Sequence, residues 1–272
     1  MKINKIPCVV TIAGTDPSGG AGIQADIKAI SATGSYAASI ITALVAQNTQ
    51  GVQAIQEVPL DFIAQQVESV FSDLSVHAVK IGMLHNKKII ELVRSTLEKY
   101  KPKHVVLDPV MVAKNGAALI ESNTIDFLKE NLFPFVTLIT PNLPEAEHIL
   151  AEKIQTVAEM NFAAKKIGRS VNVLLKGGHL ENQQASDVLV ADNNVHWFHA
   201  ERIQTKNTHG TGCSLSSAIA SYLAQGYFLP EAIGAAKQYL TKAIQFGADG
   251  YFRIGQGHGP IDHFYFLRGG KK

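Results

Sequence analysis

Two glycine-rich segments hold the residues best suited to chemistry. His209-Gly210-Thr211-Gly212-Cys213 leads directly into Ser214-Leu215-Ser216-Ser217-Ala218-Ile219, a run with helical character. Glycines at a helix N-terminus leave amides aimed at one point, and the helix dipole adds positive potential, so Gly210 and Gly212 form a candidate anion nest. A phosphoryl group in transit would have its negative charge stabilised there, and one such preorganised donor is worth ~3 kcal/mol of barrier. The alternative is a glycine-rich helix cap with no ligand. Cys213 shares that terminus, where a thiol pKa is expected to fall below its free value of ~8.5, which would make it a proton acceptor. Its alternative is a small packing residue.

The second segment, Gly14-Thr15-Asp16-Pro17-Ser18-Gly19-Gly20-Ala21-Gly22, has neither the Lys-Ser/Thr ending of a P-loop nor the spacing of a dinucleotide fingerprint. It reads as a place where backbone approaches a small ligand closely, or as a tight connection. Lys176 closes an apolar run before Gly177-Gly178, and a lysine there is a cation able to reach a phosphate. Asp108 and Glu145 also follow apolar runs. As a pair they suit water-mediated holding of Mg²⁺ on a nucleotide's phosphates. Glu145, three residues after Asn142, also has the plain explanation that glutamate is favoured in a first helical turn.

These residues need strands that end at one edge. Short β-rich apolar runs at 9–13, 40–46, 78–81, 105–107, 136–140 and 171–175 alternate with amphipathic stretches at 23–32, 60–71, 87–100 and 157–167. That alternation predicts βαβ units and an α/β fold, a mostly parallel central sheet covered by helices on both faces. In such sheets ligands sit beyond the carboxyl ends of the strands. The runs are followed by Gly14-Thr15-Asp16, Gln47-Asn48, Gly82-Met83, Asp108-Pro109, Pro141-Asn142 and Lys176-Gly177, and these six ends are predicted to converge on one cleft. Toward the C-terminus, 188–190 and 195–198 read as a hairpin, followed by small-residue helices at 211–225 and 230–246. A tail from Arg268 to Lys272 is expected to be disordered.

The 272 residues are 46% hydrophobic and 18% charged, which excludes intrinsic disorder and fits one domain spanning 1–272. A net charge of +2 with scattered basic residues argues against nucleic acid as a partner. Apolar runs stay short of a membrane span, the start of the chain is too polar for a signal peptide, and Cys8 and Cys213 make no disulfide framework. A cytoplasmic chain is expected. His196 and His199 lack the accompanying ligands of a metal site and read as surface imidazoles on a strand.

Taken together, Ala13-Gly14-Thr15-Asp16, Gly19 to Asp26, Ala46-Gln47-Asn48-Thr49, Lys80-Ile81-Gly82-Met83, Asp108-Pro109-Val110-Met111, Thr140 to Glu147, Lys176-Gly177-Gly178-His179 and Thr208 to Cys213 resemble the hydroxymethylpyrimidine/phosphomethylpyrimidine kinases of thiamine biosynthesis, within the ribokinase-like superfamily. The likeness runs in order from about residue 8 to about residue 262. Departures are slight: Thr15 stands where the family commonly has Ser, and Ala37-Ala38 where Gly-Met is frequent.

The resemblance implies ATP- and Mg²⁺-dependent phosphorylation of 4-amino-5-hydroxymethyl-2-methylpyrimidine, then of its monophosphate. It implies that Gln47 reads the pyrimidine edge and that Gly14, Asp26 and Met83 surround the ring. Asp108, Asn142, Glu145, Lys176, Thr211 and Lys237 fall at positions lining the phosphate and metal region. It further implies a homodimer, and leaves open a monovalent cation, a lid and side activity on pyridoxine. Many superfamily members carry Asp where this chain has Cys213. The second phosphorylation attacks with an oxygen that is already anionic, so Cys213 is expected to matter more to the first. Rival readings are a pyridoxal kinase, a dinucleotide-dependent oxidoreductase and a non-catalytic ligand-binding regulator.

Overall fold

The computed structural model describes residues 5–111, 124–178, 184–248 and 252–268. Strands β1 (Cys8–Ala13), β2 (Tyr36–Ile41), β5 (Val76–Ile81), β6 (His104–Leu107), β7 (Leu138–Ile139) and β8 (Val173–Lys176) are parallel. Antiparallel β9 (Asp187–Ala191) and β10 (Asn194–Phe198) extend the sheet, giving the order β10-β9-β8-β7-β6-β5-β1-β2. Asp192 and Asn193 both have positive φ, the backbone a tight two-residue hairpin turn requires. The sequence runs toward opposite edges on either side of β1 and β5, so the carboxyl ends of these strands flank a topological switch point.

Alternation along the strands divides the core between two faces. Val10, Ile12, Val79, Ile81, Val105 and Leu107 pack on α2 (Leu60–Asp73), α3 (Lys87–Tyr100), α4 (Thr124–Leu132), α5 (Leu143–Leu150) and α6 (Val157–Ile167). Val9, Ala78, Val106, Leu138 and Leu174 face α1 (Gly22–Ala32), α7 (Thr211–Ala224) and α8 (Leu229–Ala248). Small buried residues on α7, among them Ser216, Ser217, Ala218 and Ala220, let that helix lie close to the sheet.

Three expectations change. The run 40–46 is not one strand: the chain breaks at buried Thr42, whose N–H donates to the Ala13 carbonyl and whose hydroxyl donates to the Met83 carbonyl. Beyond it, β3 (Ala43–Asn48) pairs with β4 (Gly51–Glu57) as a separate two-stranded sheet. Gln47 therefore stands on an arm beside the central sheet, and five of the six predicted ends belong to the sheet itself. The run 136–140 keeps only two strand residues. Arg268 is ordered, its guanidinium 2.7 Å from Asp262, while 269–272 lie outside the described residues.

Candidate active site

The floor of the site is the start of α7. Gly210 caps that helix with φ 77°, and a Cβ there would lie 1.7 Å from the Gly20 carbonyl oxygen. Only glycine allows this contact, which seams the two glycine-rich segments together. The first helical hydrogen bond, from Ser214 to the Gly210 carbonyl, closes the turn and leaves the preceding amides with no acceptor inside the helix. The Thr211 hydroxyl donates to the Thr208 carbonyl at 3.2 Å.

Lys176, Asp108, Asn142 and Glu145 gather on one side of this nest. The Lys176 ammonium lies 2.9 Å from Asp108 Oδ1, and Thr140 donates to the same oxygen at 3.1 Å. A Cβ on Gly212 would fall 3.2 Å from Lys176 Nζ and 3.4 Å from Asp108 Oδ2, which places both groups against the nest. Burial alone would lower the Lys176 pKa, but the Asp108 and Glu145 carboxylates outweigh it and raise it, so the cation is permanent.

Asn142 and Glu145 form a reciprocal cap on α5: Glu145 N–H donates to Asn142 Oδ1 at 2.9 Å, and Asn142 N–H to Glu145 Oε2 at 2.8 Å. The geometry is that of the plain explanation, a glutamate serving the first turn of its helix. Desolvation pushes the Glu145 carboxyl up to about 7; Lys176 opposes the rise and the Asp108 charge adds to it. Two neighbouring carboxylates, one with its charge disfavoured by burial, fit a divalent cation held partly through water. Among the described residues no group of three or more His, Cys, Asp or Glu could hold a metal directly.

Cys213 departs from expectation. Burial pushes its thiol up to about 11, against the lowering effect of Lys80 and of a hydrogen bond from the Gly22 N–H; the charges of Asp26 and Asp108 add to the rise. At neutral pH it is a thiol. Beneath it the Lys80 ammonium is fully buried and donates to both oxygens of Asp26 at 2.9 and 2.8 Å. Burial works against that cation, but Asp26 outweighs it and the pKa rises. Thr11 and Ser217 donate to the same carboxylate at 2.6 and 2.8 Å. Asp26, with no exposed surface and both oxygens occupied, is part of this polar knot and leaves no face for a ring. Lys237 also differs from expectation. Its ammonium pairs with Asp187 Oδ2 at 2.6 Å, and Asp187 Oδ1 accepts the Gly177 N–H, so Lys237 holds the turn after β8.

On the opposite side stand Gly14, Met83 and Gln47. A Cβ on Gly14 would meet the Met83 methyl at 2.8 Å, and Met83 packs with Ala43 and Val45. Thr15 accepts the Val45 N–H at 2.9 Å through its hydroxyl, a bond a serine would make equally, which explains why that departure is harmless. The amide end of Gln47 lies 3.1 Å from His209 Nε2, itself 2.7 Å from buried Asp16. The sequence showed His209, Asp16 and Lys80 within family-like segments but gave none of them a role, although a lysine in an apolar strand is the signal that marked Lys176. His179 lies outside the described residues.

A parallel sheet with a switch-point cleft, a helix-terminal anion nest and an adjoining lysine and carboxylate define a ribokinase-like small-molecule kinase. The phosphomethylpyrimidine kinase family model matches residues 16–262, and the chain belongs to that family. A hydroxymethylpyrimidine/phosphomethylpyrimidine kinase of Escherichia coli is 46% identical over 94% of this chain and 97% of its own length. A thiamine biosynthesis bifunctional protein of Geobacter sulfurreducens is 49% identical over 94% of this chain, which spans 52% of that longer protein. A Bacillus subtilis pyridoxal kinase, solved as an ADP complex, superposes with a TM-score of 0.89 at 37% identity, covering 96% of this chain and 99% of that one.

Proposed function

We propose that the chain transfers the γ-phosphoryl group of Mg-ATP to the hydroxymethyl group of 4-amino-5-hydroxymethyl-2-methylpyrimidine, and then phosphorylates the monophosphate to the diphosphate, in thiamine biosynthesis. The observation that carries this is the meeting of the α7 nest, Lys176 and Asp108 at Gly212, with Gln47 across the cleft. In a loose phosphoryl-transfer transition state, positioning and charge stabilisation matter most. Gly210, Thr211, Gly212 and Cys213 supply backbone donors to the transferring group, and Lys176 supplies a fixed charge. Asp108 and Glu145 would hold Mg²⁺, which neutralises phosphate charge when bound. Cys213 can take up the alcohol proton only as its thiolate, so the thiol must first give up its own proton, and burial makes that form scarce at neutral pH. Gln47, Gly14 and Met83 would receive the ring, Gln47 with one donor and one acceptor.

A single catalytic domain, a cytoplasmic setting and a homodimer belong to the same reading. Exposed Leu44 on β3 and Tyr36 on edge strand β2 are apolar surface that a second copy would cover. No helix among the described residues is long and apolar enough to cross a membrane. The second reading is pyridoxal phosphorylation, favoured by the structural likeness to the Bacillus subtilis pyridoxal kinase. Phosphorus NMR of ATP-dependent product formation, with the pyrimidine alcohol, its monophosphate and pyridoxal offered in parallel, separates the two. Turnover of both pyrimidines with little on pyridoxal is expected. Turnover of pyridoxal alone would keep the phosphate site and remove the assignment of Gln47.

A further inference from the structure

The last residue before the nest, His209, takes no part in the chemistry just described, yet it is buried and multiply constrained. A Cβ on Gly20 would lie 2.3 Å from its Cδ2 and 3.2 Å from Cγ and Nε2, so the Cδ2 edge of the ring is turned against the first glycine-rich segment. Its Nε2 is 2.7 Å from Asp16 Oδ2. The same Asp16 oxygen accepts the Ala21 N–H at 2.7 Å, while Oδ1 accepts the Ser18 N–H and hydroxyl at 2.9 and 2.7 Å. Desolvation works to raise the Asp16 carboxyl, but the bonds from His209, Ser18 and Ala21 outweigh it and hold it below the usual carboxylate range. An ionised carboxylate only accepts. His209 Nε2 therefore carries a proton, whether the ring is neutral or charged.

This has a consequence for the amide 3.1 Å away. A side-chain amide has an oxygen and a nitrogen of nearly the same shape, distinguished by their hydrogen-bond partners. A protonated Nε2 has no lone pair with which to receive a second N–H. The structure sets the Gln47 amide nitrogen toward it, but an amide turned half a revolution fills the same space, and only the oxygen can share the imidazole proton with Asp16, which leaves the NH₂ pointing away.

We propose that Asp16 and His209 fix which way round the Gln47 amide stands and thereby set the donor–acceptor polarity of the ring edge the enzyme accepts. They are positioning residues acting through Gln47, and the proposal rests on the reading of Gln47 as the group that meets the ring. With the polarity fixed, the NH₂ meets a ring nitrogen that accepts, and the oxygen keeps a lone pair for an adjacent exocyclic amino group. A 4-amino pyrimidine matches that order. Its 4-oxo analogue, with a ring N–H beside a carbonyl, inverts it.

The test measures kcat/KM for the 4-amino and 4-oxo pyrimidine alcohols. The unaltered enzyme should favour the amino compound by roughly 10²-fold or more, because an inverted edge leaves buried polar groups opposed. His209→Leu frees the amide to turn and should shrink that ratio by about tenfold, through a higher KM for the amino compound with the KM for ATP unchanged. His209→Gln, whose NH₂ can donate to both Asp16 and Gln47, should restore the ratio.

A His209→Leu enzyme with unchanged discrimination overturns the proposal. So does an unprotonated Nε2 in nitrogen-detected NMR of the unaltered protein at neutral pH, a measurement that needs no variant to fold. Gln47→Ala with an unchanged KM for the pyrimidine would instead remove the substrate reading, and a protonated Nε2 would still uphold the Asp16–His209–Gln47 arrangement.

Discussion

Cys213 is held by burial as a neutral thiol in the first turn of α7, and this limits what it can do. A thiol that keeps its proton cannot take another, so with a pKa of about 11 only the small thiolate fraction can act as a base, and a base role predicts a rate for the alcohol that rises with pH above neutrality. Cys213→Ala should slow phosphorylation of the alcohol by ~10²-fold and that of the monophosphate far less, read by single-turnover assays of each step. Equal losses would point to a packing role. Gln47→Ala should raise the KM for the pyrimidine about tenfold, the worth of one hydrogen bond to a buried ligand, with the KM for ATP unaffected in steady-state kinetics.

At this scale the sequence was legible where chemistry and strand ends coincide. Asp108 and Lys176 were visible because a charge that closes an apolar run is costly without a purpose. Asp26 was named only through the family likeness, and Lys80 and His209 were given no role, because their partners are 15 to 193 positions away and only the fold joins them.

Among the elements, α7 bears the closest tolerances. Gly210→Ala would force a Cβ into the Gly20 carbonyl in a left-handed backbone conformation. A loss of about 1–3 kcal/mol in denaturant unfolding should follow, together with collapse of kcat. The same helix is anchored at Ser214, whose hydroxyl is 2.9 Å from His263 Nε2. Burial first, then the Lys28 charge, lowers the His263 pKa to about 4, with Asp262 opposing.

A folded-state pKa below the ordinary 6.5 means that the neutral ring stabilises the fold above pH 6.5, and that this contribution is lost as pH falls toward 4. Tm measured from pH 7 to 4 should therefore fall less steeply in His263→Gln than in the unaltered protein. The helices at 87–100 and 157–167 could be read to the residue because amphipathic spacing and caps coincide. The β3–β4 arm escaped notice. Nothing in the apolar run 40–46 marks Thr42 as a break, because that turn is made by long-range bonds to Ala13 and Met83.

For the molecule as a whole, the strand alternation that predicted a doubly covered sheet was a strong signal, since both faces of nearly every central strand are apolar. The exception is the knot of Thr11, Asp26, Lys80 and Ser217, which fastens β1, β5, α1 and α7 beneath the site. Lys80→Ala should cost ~3–5 kcal/mol of stability by leaving the Asp26 charge buried and unpaired, whereas Lys80→Met with Asp26→Leu should recover much of that loss in urea unfolding.

The bond between Asp16 and His209 joins positions 193 residues apart. During synthesis, therefore, the first glycine-rich segment leaves the ribosome long before the residues that complete its cleft. The cleft is complete only when the final quarter of the chain docks, because α7 packs on α1, β1 and β5. A chain that stops short of His209 lacks both this bond and the α7 nest, so phosphoryl transfer is expected only once the last quarter has been made.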